Sequence, residues 1–122
     1  MRCMKIVDLD HGEKVFGNRD TAKTLMLEFT QSLPEYIAEI NTHTKSKKYQ
    51  ALYDKTHSLR GACCYASTPK LLLSIEQIDN HAKQVSTKTD VNSSDEQKMH
   101  KLYTELEQIA QQTIIHVEDN YR

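Results

Sequence analysis

Glycine and proline are scarce enough in this chain to decide its fold class. Three Gly and two Pro in 122 residues leave little material for the tight turns and strand punctuation that an all-β fold of this size needs. A helical fold is therefore favoured, and the length predicts one domain over residues 1–122. Hydrophobic residues make up 38% of the chain and aromatic residues 7%, with no Trp, so the core is expected to be aliphatic and sufficient for one bundle.

Charge and motifs exclude several function classes. Sixteen Lys and Arg against 17 Asp and Glu leave a formal net charge of −1, without the basic excess of a nucleic-acid module. There is no run of about 18 apolar residues that would span a membrane, and the start MRCMKIVDLD lacks the apolar stretch of a signal peptide. Direct membrane contact is not expected. Three Cys is an odd number, and the adjacent Cys63 and Cys64 do not readily pair, which argues for a reducing, cytoplasmic compartment. The CxxC, HExxH, Walker-type and GxGxxG motifs are absent, because the glycines stand alone at 12, 17 and 61.

Hydrophobic periodicity divides the chain into helices. Met99, Leu102, Leu106, Ile109, Thr113 and Val117 recur every three or four residues, with a capping-box start predicted at Ser94 and Gln97. Leu71, Ile75, Ile78, Ala82 and Val85 repeat this spacing over 70–85, directly after Pro69, a residue suited to a first helical turn. The polar stretch 86–95 between them reads as a flexible connection. In the N-terminal half, Ala22, Leu25, Met26, Phe29, Leu33, Ile37 and Ile40 predict a helix from about Asp20 to Thr42, kinked at Pro34 because the stripe keeps its phase across it. A short entry helix from Asp10 to Phe16 is expected to stop at Gly17, and THTKSKK (42–48) reads as a basic turn.

The segment from about Lys47 to Ala66 is the informative one. Leu52, Leu59, Ala62, Cys63 and Ala66 gather on one side of a helix, and at about 100° per residue Leu59 lies about 200° from His57. His57 therefore points outward. Gln50, Tyr53, Asp54, Arg60, Gly61 and Cys64 share its face, and a glycine in mid-helix costs on the order of 1 kcal/mol relative to alanine. Folding does not favour Gly61, so another demand must.

The segment THSLRGA (56–62) resembles the phosphorylation motif of histidine-containing phosphotransfer (HPt) domains: His, an apolar residue two on, a basic residue three on and Gly four on. The continuation CCYASTPKL (63–71) is similar to the C-terminal HPt domain of BarA/GacS-type hybrid sensor kinases, and FTQSLPEYIAEI (29–40) fits a preceding helix. The resemblance implies an all-α fold, an antiparallel four-helix bundle with a short N-terminal helix. It implies His57 as phosphoacceptor, Arg60 as a fixed positive charge for the phosphoryl oxygens, and Gly61 as clearance for a partner's acidic pocket. Counting without gaps assigns Asp79 to orient the imidazole, with Glu76 one turn earlier as the alternative and a solvated surface carboxylate as the competing reading of Asp79. Two positions depart from the family pattern: Ser67 stands where relatives commonly have Gly in the turn, and Arg60 replaces the commoner Lys.

The function so implied is a phosphorelay, from a receiver-domain aspartate of a hybrid kinase to His57 and on to a response-regulator aspartate. The domain itself is expected to hold no nucleotide and no cofactor, with magnesium on the receiver partner. It could stand alone or form the cytoplasmic C-terminal part of a membrane-bound sensor kinase. The alternative from a different class is a non-catalytic adaptor that docks response regulators through the same face. His11, His43, His81, His100 and His116 do not place two rings on one helical face, so no metal site is assigned. Cys63 is expected in the core and Cys64 on the His57 face, as ordinary thiols rather than redox sensors.

Overall fold

A computed structural model describes residues 4–122, and among them there are five helices and no strand. Helix α1 spans Leu9–Phe16. The Asp8 carboxylate caps it by accepting the His11 N–H, and Gly17, at φ 72°, ends it in the left-handed conformation that glycine adopts without steric cost. Helix α2 spans Arg19–Lys45, capped by the Asn18 side chain at Thr21 N–H. Pro34 lies inside it, on the exposed side, and its ring leaves the Thr30 carbonyl without the usual helical donor. The helix runs three residues past the expected Thr42. Thr42 and Thr44 donate to the carbonyls of Ala38 and Ile40, and the basic Lys45 suits the negative end of the helix dipole. The basic turn thus shrinks to 46–48, with Lys47 at φ 55°.

Helix α3 spans Tyr49–Cys63, α4 spans Pro69–Ser86 and α5 spans Ser93–Tyr121. Pro69 takes the first turn of α4 as predicted. The start of α5 differs from the expected Ser94 and Gln97: Asn92 is the cap and Asp95 its reciprocal partner, closing a full capping box. This register puts a carboxylate rather than an amide at the positive end of the helix. It also lets Lys88 pair with Asp95 at 2.8 Å, and that hydrogen-bonded ammonium holds the Asp95 carboxyl below its usual pKa. The connection expected over 86–95 therefore narrows to 87–92, where Val91 packs on the core.

Helix α2 packs against α3 and α5, and α4 packs against the same two helices. Leu33, Ile40, Leu52, Leu59, Leu71, Ile75, Ile78 and Leu106 are fully buried between them, in one cluster that includes Cys63 and Met99. These are the stripes predicted from period 3.6, and each fully buried Leu or Ile contributes about 1.5–3 kcal/mol relative to leaving it in water. A smaller cluster of Val7, Leu9, Ala22, Met26 and Val117 forms where α1 packs on α2. No described helix is long and apolar enough to cross a membrane.

Gly12, which the sequence leaves without a role, sits at the closest approach of α1. It is buried, and a Cβ there would overlap Ser67 Oγ and come within 2.9 Å of Ala22 Cβ. The Asp8 N–H donates to the Ser67 carbonyl at 2.8 Å, so α1 is laid directly on the turn that joins α3 to α4. Ser67 adopts φ 59°: the left-handed turn usually built with glycine forms here with serine.

Candidate functional site

The site lies where α3 crosses α4. Leu52, Thr56, Leu59 and Cys63 are the buried residues of α3, which turns His57 outward with its side chain 62% exposed. The ring lies at 5.6 Å, tilted by 45°, from that of Tyr53 one turn earlier, a neighbour at i−4 that limits the orientations the imidazole can take. Gln50, Asp54, Gly61 and Cys64 are exposed and Arg60 half-buried on this same side.

Helix α4 contributes Asp79, and here the solvated reading of that carboxylate is overturned. Asp79 is only 2% exposed. A carboxylate so buried needs hydrogen bonds and a counter-charge, and the structure supplies both from α3. The Thr56 hydroxyl donates to Oδ1 at 2.9 Å. His57 Nδ1 and Arg60 Nη1 each lie 3.5 Å from Oδ2. Of the two carboxylates weighed, it is Asp79 and not Glu76 that meets the imidazole. Helical spacing explains the convergence, since 56, 57 and 60 bracket one turn of α3 and direct three polar groups toward the neighbouring helix.

Arg60 keeps 43% of its side chain exposed. A guanidinium has five N–H donors in a fixed fork, and one directed at Asp79 leaves others beside His57 for an anion. Gly61, one turn from His57, has no atom within 4 Å of where a Cβ would stand. Nothing inside the protein demands glycine there, so the empty space opens only to the exterior. Gly12 and Gly61 are thus opposite cases, one glycine required by internal contact and the other not.

The chemistry available is that of an exposed nucleophile set by a buried acceptor. In the tautomer whose Nδ1–H donates to Asp79, Nε2 carries the lone pair free to react. His57 is not part of the cleft of about 320 Å³ between α1 and the α3–α4 turn, which is lined by His11, Phe16, Cys64 and Tyr65 among others. An imidazole on an open face suits reaction with a group presented by another macromolecule.

The remaining predicted residues are also located. Cys63 is buried and Cys64 exposed, both as free thiols, while Cys3 lies outside the described residues. Burial pushes the Cys63 thiol up to about 12, which makes it a poor nucleophile. No group of three or more His, Cys, Asp or Glu among the described residues is arranged to hold a metal ion. His81 is buried and uses Nε2 to reach the Asp95 carbonyl at 3.0 Å, a structural role. Thr56 is the site residue that the outward-face reading misses, because it points inward. Its signal is a hydroxyl on the apolar arc of α3, beside Leu52 and Leu59, where a buried O–H must have an acceptor. No family model, curated protein or solved structure matches the chain.

Proposed function

We propose that this chain is a histidine phosphotransfer domain, built as an antiparallel four-helix bundle of α2–α5 with α1 against one end. Support for the bundle is the closed ring of packing, α2 to α3 to α4 to α5 and back to α2, with short connections at 46–48, 64–68 and 87–92. The function rests on one observation above all. An exposed imidazole has its Nδ1 within 3.5 Å of a 97% buried side-chain carboxylate, on a face where a mid-helix glycine meets no atom of its own protein.

In this reading, Nε2 of His57 attacks the phosphorus of an aspartyl phosphate on a receiver domain. The N–P bond forms as the P–O bond to the aspartate breaks, and the aspartate leaves as carboxylate. The Nδ1 proton stays on the ring, and Asp79 stabilises the resulting positive charge. Arg60 offsets the negative charge spread over the three phosphoryl oxygens. In the second half of the relay, a carboxylate oxygen of a response regulator attacks the phosphorus and the N–P bond breaks, restoring His57. The two halves use the same groups because the transition state is similar in both directions.

A receiver domain charged with radiolabelled acetyl phosphate tests this directly. The wild-type chain is expected to acquire one acid-labile, base-stable label, and His57→Gln to acquire none. Label retained in His57→Gln overturns the assignment, and a wild-type chain that binds the charged receiver without taking label is an adaptor instead.

A further inference from the structure

We infer that Thr56 is a positioning residue, whose buried hydroxyl aims the Asp79 carboxylate at His57 and thereby sets which ring nitrogen is the nucleophile. The inference rests on the relay reading and adds to it a group that never meets the phosphoryl. Three observations carry it.

First, Thr56 makes the only short hydrogen bond to the Asp79 carboxylate found among the described residues. It donates at 2.9 Å, between two groups that are 0% and 2% exposed. The Arg60 and His57 nitrogens stand at 3.5 Å, too long to fix a carboxylate plane on their own. Second, the hydroxyl has a choice of two acceptors, and chemistry favours the carboxylate. Tyr53 O lies at 3.1 Å on the same helix, but a hydroxyl carries one hydrogen, and a carboxylate oxygen is the stronger acceptor. Third, the other two threonines buried within helices behave differently. Thr30 and Thr113 donate to carbonyls four residues back in their own helices, whereas Thr56 reaches across to α4. With Oδ1 held by Thr56, Oδ2 is left to face Nδ1. A rotation of the carboxylate would take Oδ2 off that line, and the Nδ1–H tautomer would lose its acceptor.

The test separates tautomer from transfer. Imidazole 15N–1H correlation spectra of the neutral His57 ring are expected to show mainly Nδ1–H in the wild-type chain and in Thr56→Ser. A shift toward Nε2–H is expected in Thr56→Val, which keeps the shape and removes the donor. Potassium phosphoramidate serves as a small phosphodonor: Nε2 attacks its phosphorus, the P–N bond breaks and ammonia leaves. Thr56→Val is expected to slow this labelling roughly tenfold, by analogy with the loss when a group that orients a metal-binding histidine is removed, with Thr56→Ser close to wild type. In an Asp79→Ala background Thr56→Val is expected to cause no further loss.

A purely structural threonine would lower stability without moving the tautomer. An unchanged tautomer in Thr56→Val, or an equal loss in the Asp79→Ala background, overturns the inference. Circular dichroism checks that the helices persist. Should valine unfold the chain, Thr56→Ala replaces it with the same expected outcomes. If phosphoramidate and charged receiver both fail to label the wild type, the relay reading falls, and the tautomer spectra still decide the role of Thr56.

Discussion

His57 and Asp79 sit at opposite ends of the accessibility scale, and the site depends on the difference. An imidazole in water can meet a partner, and a carboxylate out of water interacts strongly with what lies beside it. Gly61 belongs to the exposed half. Because no atom lies within 4 Å of its missing Cβ, Gly61→Ala is expected to stabilise the free protein by about 0.5–1 kcal/mol, the helix-propensity difference, measured by urea unfolding. Gly61→Leu is expected to keep the helix content and the labelling by phosphoramidate, yet to block labelling by a charged receiver. Undiminished transfer from the receiver would remove the clearance role. The outward direction of 57, 60 and 61 is legible in the sequence, since it follows from 100° steps around one helix. The burial of Asp79 is not: its assignment to the imidazole came from resemblance, and by pattern alone it is one more carboxylate on an amphipathic helix.

At the scale of elements, the α3–α4 turn and α1 form a coupled unit. Ser67 holds φ 59°, and its Oγ is buried without a hydrogen-bond partner. Both features favour glycine, and Ser67→Gly is expected to stabilise the protein by about 1 kcal/mol through relief of the left-handed strain. Gly12→Ala is expected to cost about 1–3 kcal/mol, because the added methyl overlaps Ser67 Oγ and crowds Ala22. In the Ser67→Gly background part of that cost disappears, since one of the two obstacles is gone. Denaturant unfolding of the four proteins gives the coupling, and strict additivity would mean that α1 yields rather than Ser67 obstructs. Helix boundaries show a similar limit of sequence reading. Period 3.6 located the four long helices and the Gly17 stop marked the short one, but the run Asn92–Ser93–Ser94–Asp95 offers several caps, and the choice of Asn92 is tied to Lys88 in the preceding connection and His81 on α4, both of which meet Asp95.

For the molecule as a whole, the core sets an alkaline limit on stability. Burial raises the Cys63 thiol from its usual 9.0 to about 12, and burial followed by the Glu107 hydrogen bond raises the Tyr103 phenol as well. A group whose folded pKa lies above its unfolded value stabilises fully below the unfolded value and loses that contribution as pH rises. Stability is therefore expected to fall between pH 9 and about 12, with Cys63 contributing at most about 1.4 kcal/mol per pH unit. Cys63→Ala, though less stable at neutral pH through its lost sulfur, is expected to show a shallower decline. Parallel unfolding curves for the two proteins across that range would remove Cys63 as the cause. What the sequence determined by itself is everything that repeats within one helix: the all-helical class, the apolar stripes and the outward face of α3. Those depend on neighbours three and four residues away. Tertiary structure alone decided that Thr56 and Asp79 meet across 23 positions, that Gly12 must be glycine and that Asn92 starts α5. Each is a contact between helices, and its existence depends on how one apolar face settles on another, a geometry that no local spacing encodes.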